Sequence, residues 1–232
     1  MIGWTDLIVK AKVIIDDATW DRDLAENPAR FFRAKSDYVS MALPLLNRPP
    51  NLLTWVKDGM KAPSYNSAEW TSTQQSTEEQ AVVSTGMTGY DLCSVCERSS
   101  DGISQIPYTD FSYDPETGGV TFGEQESAGI QYDIDFYKDG EFRDLDETIT
   151  RLFALAIAVV WDERFDNNWL NIQMKIHDSS FSTANEGNYA EKISQRRERN
   201  RAAFTEELKQ YEQNAAYKSR VPASRYFTAL KW

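Results

Sequence analysis

Few side chains in this sequence are placed to do chemistry. The stretch DLCSVCERS sets Cys93 and Cys96 at the C-x-x-C spacing of zinc sites and redox pairs. A structural zinc needs four ligands, and the pool here is two thiols plus the single histidine, His177, far along the chain. A thioredoxin-type pair would open a helix within a βαβ pattern, whereas the residues around Cys93 read as strand. The expectation is two buried or half-buried strand thiols, with no metal and no cofactor. A serine triad would have to use His177 in KIHDSS, and no G-x-S-x-G elbow accompanies it. The plainer reading is a histidine at a helix end. Asp133 and Asp135, two apart in IQYDIDFY, put two carboxylates on one strand face. They could form part of a calcium site or an acid/base pair, or lie on the solvated outer face of a half-buried strand.

The run KISQRRERNR is denser. Lys192, Arg196, Arg197, Arg199 and Arg201 gather there with only Glu198 opposing. Arginine forks suit carboxylates and phosphates, so this face can grip an acidic neighbour or a nucleic-acid backbone. The alternative is a solvated helix face with local pairs such as Glu191 to Gln195. The net charge of −11 is uneven: residues 1–70 carry nine basic and nine acidic groups, 71–150 three and seventeen, and 151–232 thirteen and ten. A middle third this acidic repels phosphate, which excludes a nucleic-acid-binding middle domain but suits a lining that DNA slides past.

The elements that must position these groups are legible from periodicity. Trp4, Leu7, Ile8, Ala11, Ile14 and Ile15 recur at three and four, predicting a helix. An acidic helical turn, DRDLAEN, stops at Asn27-Pro28, and a second main helix runs through Phe31, Phe32, Tyr38 and Met41 to about Pro44. Leu52 to Val56 predict a helical turn closed by Gly59. Residues 62–80 read as a linker or exposed loop. Beyond them the period becomes two: Ile130, Tyr132, Ile134 and Phe136 face one way, Gln131, Asp133, Asp135 and Tyr137 the other. Turns at DG and DPETGG divide further short strands.

Asp144 or Asp146 caps a helix through Phe165. Its block LFALAIAVVW, Leu152 to Trp161, is too short for a membrane span and ends in Asp162, Glu163 and Arg164. Being apolar all round, it must be covered on all sides, either as the hub of a helical core or with one side against another subunit. A separate helical stretch, WLNIQMKI, is expected after the asparagines. Ser182 then caps a long helix from about Asn185 to Tyr211, with a stripe of Tyr189, Ile193, Asn200, Phe204, Leu208 and Tyr211. The fold class is α+β: helical N- and C-terminal parts (1–61 and 144–215) form one helical core, an acidic antiparallel β-subdomain (62–143) is inserted, and 216–232 form an arm. The N-terminus shows no signal peptide, so a reducing cytoplasm is expected. Seven tryptophans and eleven tyrosines are generous, and interfaces favour such side chains.

Two stretches carry a resemblance. WTDLIVKAKVIIDDATWDRDLAENPARFFRAKSDYVSMALPLLNRPP and LDETITRLFALAIAVVWDERFDNNWLNIQMKIHDSSFSTANEGNYAEKISQRRERNRAAFTEELKQYEQNAAY resemble the helical parts of tailed-bacteriophage head–tail connector, or neck, proteins. The likeness is of pattern, and the acidic region 62–142 lies outside it. It implies a non-enzymatic virion protein, made in the host bacterial cytoplasm. Such a protein forms a ring of about twelve copies, closed by cyclic symmetry, that joins the portal to the tail and leaves a channel for DNA. The implied partners are further copies, the portal protein, adjacent neck or tail proteins and passing DNA without sequence-specific binding, with no membrane. Trp161, Phe165, Arg196, Arg197, Arg199, Arg201 and, in the arm, Trp232 are the expected assembly contacts. Two other readings stand beside it: a tail or decoration protein with a host- or glycan-binding β-domain, and a hydrolase using Asp133, Asp135 or His177.

Overall fold

The computed structural model describes residues 1–72, 82–99, 105–123, 129–143, 145–176 and 184–220, with the backbone alone described for 165–176, 184–190, 193 and 216–220. In chain order the elements are β1 (Ile2–Gly3), α1 (Trp4–Ile15), α2 (Ala18–Glu26), α3 (Pro28–Ala42), α4 (Leu52–Asp58), β2 (Met60–Lys61), β3 (Ser64–Thr71), β4 (Val82–Ser84) and β5 (Leu92–Arg98). There follow β6 (Gln105–Tyr108), β7 (Phe111–Asp114), β8 (Gly119–Phe122), β9 (Gln131–Lys138), β10 (Glu141–Phe142), α5 (Glu147–Ile176) and α6 (Ala184–Arg220). The protein is a mixed α+β structure with antiparallel sheets. Among the described residues, no helix is long and apolar enough to cross a membrane.

The helices start where local chemistry favours them. Asp17 caps α2 by accepting from the Thr19 amide at 2.8 Å. Pro28 opens α3, where its missing N–H costs nothing. Asp146 accepts from the Ile149 amide at 2.8 Å at the head of α5; Asp144 and Ser182 lie outside the described residues. Leu152 to Val159 are buried on every face of α5, among side chains of α1, α3 and α6. The all-round apolar block is the hub of this chain's own core. Two expectations for the C-terminal helices are corrected. Asn167 and Asn168 do not end the helix, so WLNIQMKI continues α5 to Ile176; asparagine lowers helix propensity only modestly, and no glycine or proline interrupts. Likewise α6 runs past Tyr211 to Arg220, taking in the first residues of the expected arm.

The strands form three antiparallel sheets, ordered β3-β9-β5-β6, β4-β8-β7 and β1-β10-β2. The first two stack face to face over Val95, Val120, Phe122, Tyr132, Ile134 and Phe136. The inward set of β9 is the one its alternation predicts. Strand β3 corrects the expected loop: Ser64 to Thr71 pair in register with Lys138 to Gln131. Its polar composition hides an alternation in which Ala68 and Trp70 turn inward, the Trp70 ring lying 4.7 Å from that of Phe122. Its other face, with Tyr65, Ser67 and Glu69, is exposed, so serine and glutamate are tolerated there. Pro107 sits in β6, the opposite edge, where a missing donor breaks no ladder.

The small sheet β1-β10-β2 ties the two parts at their base. Lys61, where the chain leaves α4, pairs with Glu141, where it returns, and Ile2 pairs with Phe142. Phe142 stacks on Trp4 at 5.4 Å. Gly140 is needed here because a Cβ would come within 2.4 Å of the Lys61 carbonyl and 2.7 Å of the Pro63 nitrogen.

Candidate functional site

The far face of the β3-β9-β5-β6 sheet carries Gln131, Asp133, Asp135 and Tyr137. It is not left to solvent, as expected for the two aspartates, because α3 crosses it. Two buried hydrogen bonds fix the crossing: the Ala29 amide donates to Ser94 Oγ at 2.8 Å, and Ser36 Oγ and the Tyr137 hydroxyl are joined at 3.2 Å. The Cys96 thiol adds a 3.0 Å contact to Asn27 Oδ1. Tyr137 belongs to the helical core although it stands on a strand, and burial pushes its hydroxyl pKa up.

Because α3 covers only part of the face, a cleft of about 620 Å³ remains beside it. Arg30, Arg33 and Asp37 line it from the helix, and Glu69, Arg98, Gln105, Asp133 and Asp135 from the sheet. Arg98 bridges Asp133 and Glu69, the latter at 2.9 Å. Arg33 reaches Asp135 at 3.4 Å and Ser67 Oγ at 3.2 Å, with its guanidinium 4.7 Å from the Tyr65 ring centroid. Gln105 accepts from Arg30 and donates to Asp133. A second cavity of about 360 Å³ adjoins along α3, shares Arg30, Ala34 and Gln105, and ends at Asp23 and Lys35. Burial draws the Lys35 amine below its ordinary pKa, against the pull of Asp23 and Asp17.

Each strand aspartate is taken up in an ion pair, Asp133 with Arg98 and Asp135 with Arg33. No group of three or more His, Cys, Asp or Glu that could hold a metal occurs among the described residues. Cys93 and Cys96 are free, buried thiols, as expected for strand cysteines. They stand three apart and so face opposite sides of β5, Cys93 in the core between the sheets and Cys96 beneath α3. Burial pushes the Cys93 thiol up to about 12 and raises that of Cys96. His177 lies outside the described residues.

The expected assembly residues divide. Trp161 is buried, its ring edge-on to Trp20 at 6.0 Å, so it faces this chain's own core rather than a partner. Arg196 is likewise turned inward. Its Nε lies 2.9 Å from Asp162 Oδ1, Asn200 Nδ2 donates to Asp162 Oδ2 at 2.8 Å, and the guanidinium covers the Trp161 ring at 4.7 Å. Asp162 is fully buried, and a buried carboxylate requires such partners. Further pairs, Glu163 with Arg201 at 3.8 Å and Arg151 with Glu207 at 2.7 Å, run along the antiparallel α5–α6 seam. Arg197 is half-buried; Arg199 and Arg201 are exposed. The Glu191–Gln195 hydrogen bond forms at 3.1 Å. The Phe165 side chain and Trp232 lie outside the described residues. Sequence reasoning did not single out Arg30 and Arg33; their three-residue spacing on α3 was the available signal, and nothing local linked it to Asp135.

The fold thus defines an α+β protein whose two-layered β-sandwich is clamped to a helical core through α3. No protein-family model, curated protein or solved structure matches this chain.

Proposed function

We propose that the chain is a structural protein of a tailed-bacteriophage virion, forming a ring in the neck that joins the portal to the tail and leaves a channel for DNA. One observation carries this reading. The two stretches that resemble neck proteins, widely separated in sequence, contribute to one buried cluster in which Trp4, Leu7, Trp20 and Phe31 lie with Phe153, Trp161 and Phe204. In this reading the cluster is the helical core of a ring subunit, and the acidic strands between Lys61 and Glu141 are an inserted β-subdomain that lines the channel or decorates its outside. Such a subunit needs no catalytic site.

Contacts to neighbouring copies and to the portal then fall to residues that the core leaves outward. Arg199 and Arg201 are exposed on α6, Val9 and Val13 lie four apart on the outer face of α1, and Met41 and Trp55 are exposed nearby in sequence. The sandwich aromatics Phe122, Tyr132 and Phe136 are turned into its own core, whereas Tyr65 on β3 is exposed.

The test is the mass of the purified protein by light scattering, alone and mixed with a tailed-phage portal protein. A subunit that enters a stoichiometric ring complex with the portal bears the reading out. A monomer that ignores the portal at micromolar concentration removes it.

A further inference from the structure

A half-buried amine stands in the smaller cavity, across the Arg30–Ala34 ridge of α3 from the larger cleft. It is Lys35, whose Nζ lies 4.7 Å from the centroid of the Trp20 ring and 5.5 Å from that of Phe31. Among the described residues no carboxylate comes within ion-pair distance of it. The rings fix where the amine sits, and burial, outweighing the pull of Asp23 and Asp17, draws its pKa down. A larger share of this lysine than of a solvated one therefore carries a free lone pair at neutral pH. The other nucleophile in the cavity, the Cys96 thiol, is pushed up by burial and stays protonated, so it does not compete.

The space in front of the amine, about 360 Å³, is of small-molecule size, and a second cation, Arg30, lines it five residues back on the helix. The partners of Arg30 are uncharged, the Gln105 amide oxygen and the Cys96 thiol, so its charge is held in place without being neutralised. Asp23, at the other end, is paired with Arg22 at 3.3 Å. The two cations leave α3 at levels about 7.5 Å apart, within reach of a four-carbon chain held between two long side chains. We propose that Lys35 is a carbonyl-binding site that takes up a short aldehyde bearing a carboxylate, the aldehyde as an imine on Lys35 and the carboxylate against Arg30. The amine lone pair attacks the carbonyl carbon, the C–O π electrons pass to oxygen, and that oxygen is protonated from solvent as the nitrogen gives up a proton. Expulsion of water then forms the C=N bond. One carbonyl oxygen leaves as water for one nitrogen gained, and neither oxidant nor reductant is needed. This site is independent of the ring reading and stands or falls separately.

Reductive trapping tests it on the full chain. The protein is mixed at neutral pH with cyanoborohydride and either succinic semialdehyde or butanal, which share a chain length and differ in the carboxylate, and the labelled lysines are mapped by peptide mass spectrometry. Each Lys35 rate is divided by the mean rate of the other lysines, which cancels the intrinsic reactivity of the aldehyde. With succinic semialdehyde, Lys35 is expected to be labelled about tenfold faster than that mean, at a rate that saturates in aldehyde, as binding before reaction requires. Butanal should lose about threefold of this advantage, the worth of a part-exposed charge pair, and Arg30→Gln should bring the two aldehydes level. Arg30 is exposed, so far-UV circular dichroism of that variant should be unchanged. A Lys35 labelled no faster than the mean, or equally fast by both aldehydes in the wild type, overturns the site.

Discussion

Asp139 caps α1 from 134 residues beyond Thr5: its carboxylate accepts from the Thr5 amide at 3.2 Å and from the Thr5 hydroxyl at 2.6 Å. Gly3, at the N-cap of α1, has no side chain to satisfy the first amides, so a residue from the end of β9 does so. The same carboxylate is 3.4 Å from the Tyr137 hydroxyl, and its own amide donates to Asp91 at 2.7 Å. One side chain therefore joins the helical core to the sandwich.

Replacing Asp139 by alanine is expected to cost about 1–2 kcal/mol, the upper part of the range for a lost helix cap. The denaturant midpoint should fall at unchanged slope. A midpoint equal to the wild type would show that water replaces the cap without loss.

Asp162 offers a harsher test. Asp162→Ala leaves Arg196 and Asn200 facing a buried void, and is expected to destabilise by about 3 kcal/mol. The double variant Asp162→Leu, Arg196→Met should recover part of that loss, since it removes both charges together. Equal losses in the single and double variants would contradict the pairing.

Gly140→Ala should strain the base of the fold, because its Cβ meets backbone rather than a movable side-chain end. A loss of about 1–3 kcal/mol is expected, with amide exchange quickening first at Lys61 and Glu141. Unchanged exchange there would place the strain elsewhere.

The thiols predict the response to alkali. The Cys93 pKa is raised from 9.0 to about 12 because burial penalises the thiolate. Below pH 9 the group is neutral in both folded and unfolded chains. Between pH 9 and 12 only the unfolded chain ionises, so stability falls as pH rises through that window. Cys93→Ala should flatten the fall, measured as urea midpoint against pH. At pH 8 neither thiol of the folded protein should react appreciably with a disulfide reagent, whereas both should in denaturant.

What the sequence disclosed follows from the range of each interaction. The α1 stripe and the β9 alternation are local patterns, and both reappear in the fold with the same residues inside. Strand β3 was hidden because only Ala68 and Trp70 of its eight residues turn clearly inward. Trp161 and Arg196 read as assembly contacts because their partners within the chain, Trp20 and Asp162, lie far off in sequence. The cleft was invisible for the same reason, since its walls come from α3 and from strands on average many residues later.

The pairing of Lys61 with Glu141 has a modular consequence. The chain leaves the helices and comes back to them on adjacent strands, so residues 62–140 could be excised and the ends rejoined by a hairpin turn with little strain in the remainder. What excision would remove is not the connection but groups the helices use as their own, the Tyr137 ring, the Asp139 carboxylate and the Ser94 hydroxyl that accepts from the Ala29 amide. Any other lobe grafted at that point would have to bring a ring for the core, a carboxylate for Thr5 and an acceptor for Ala29.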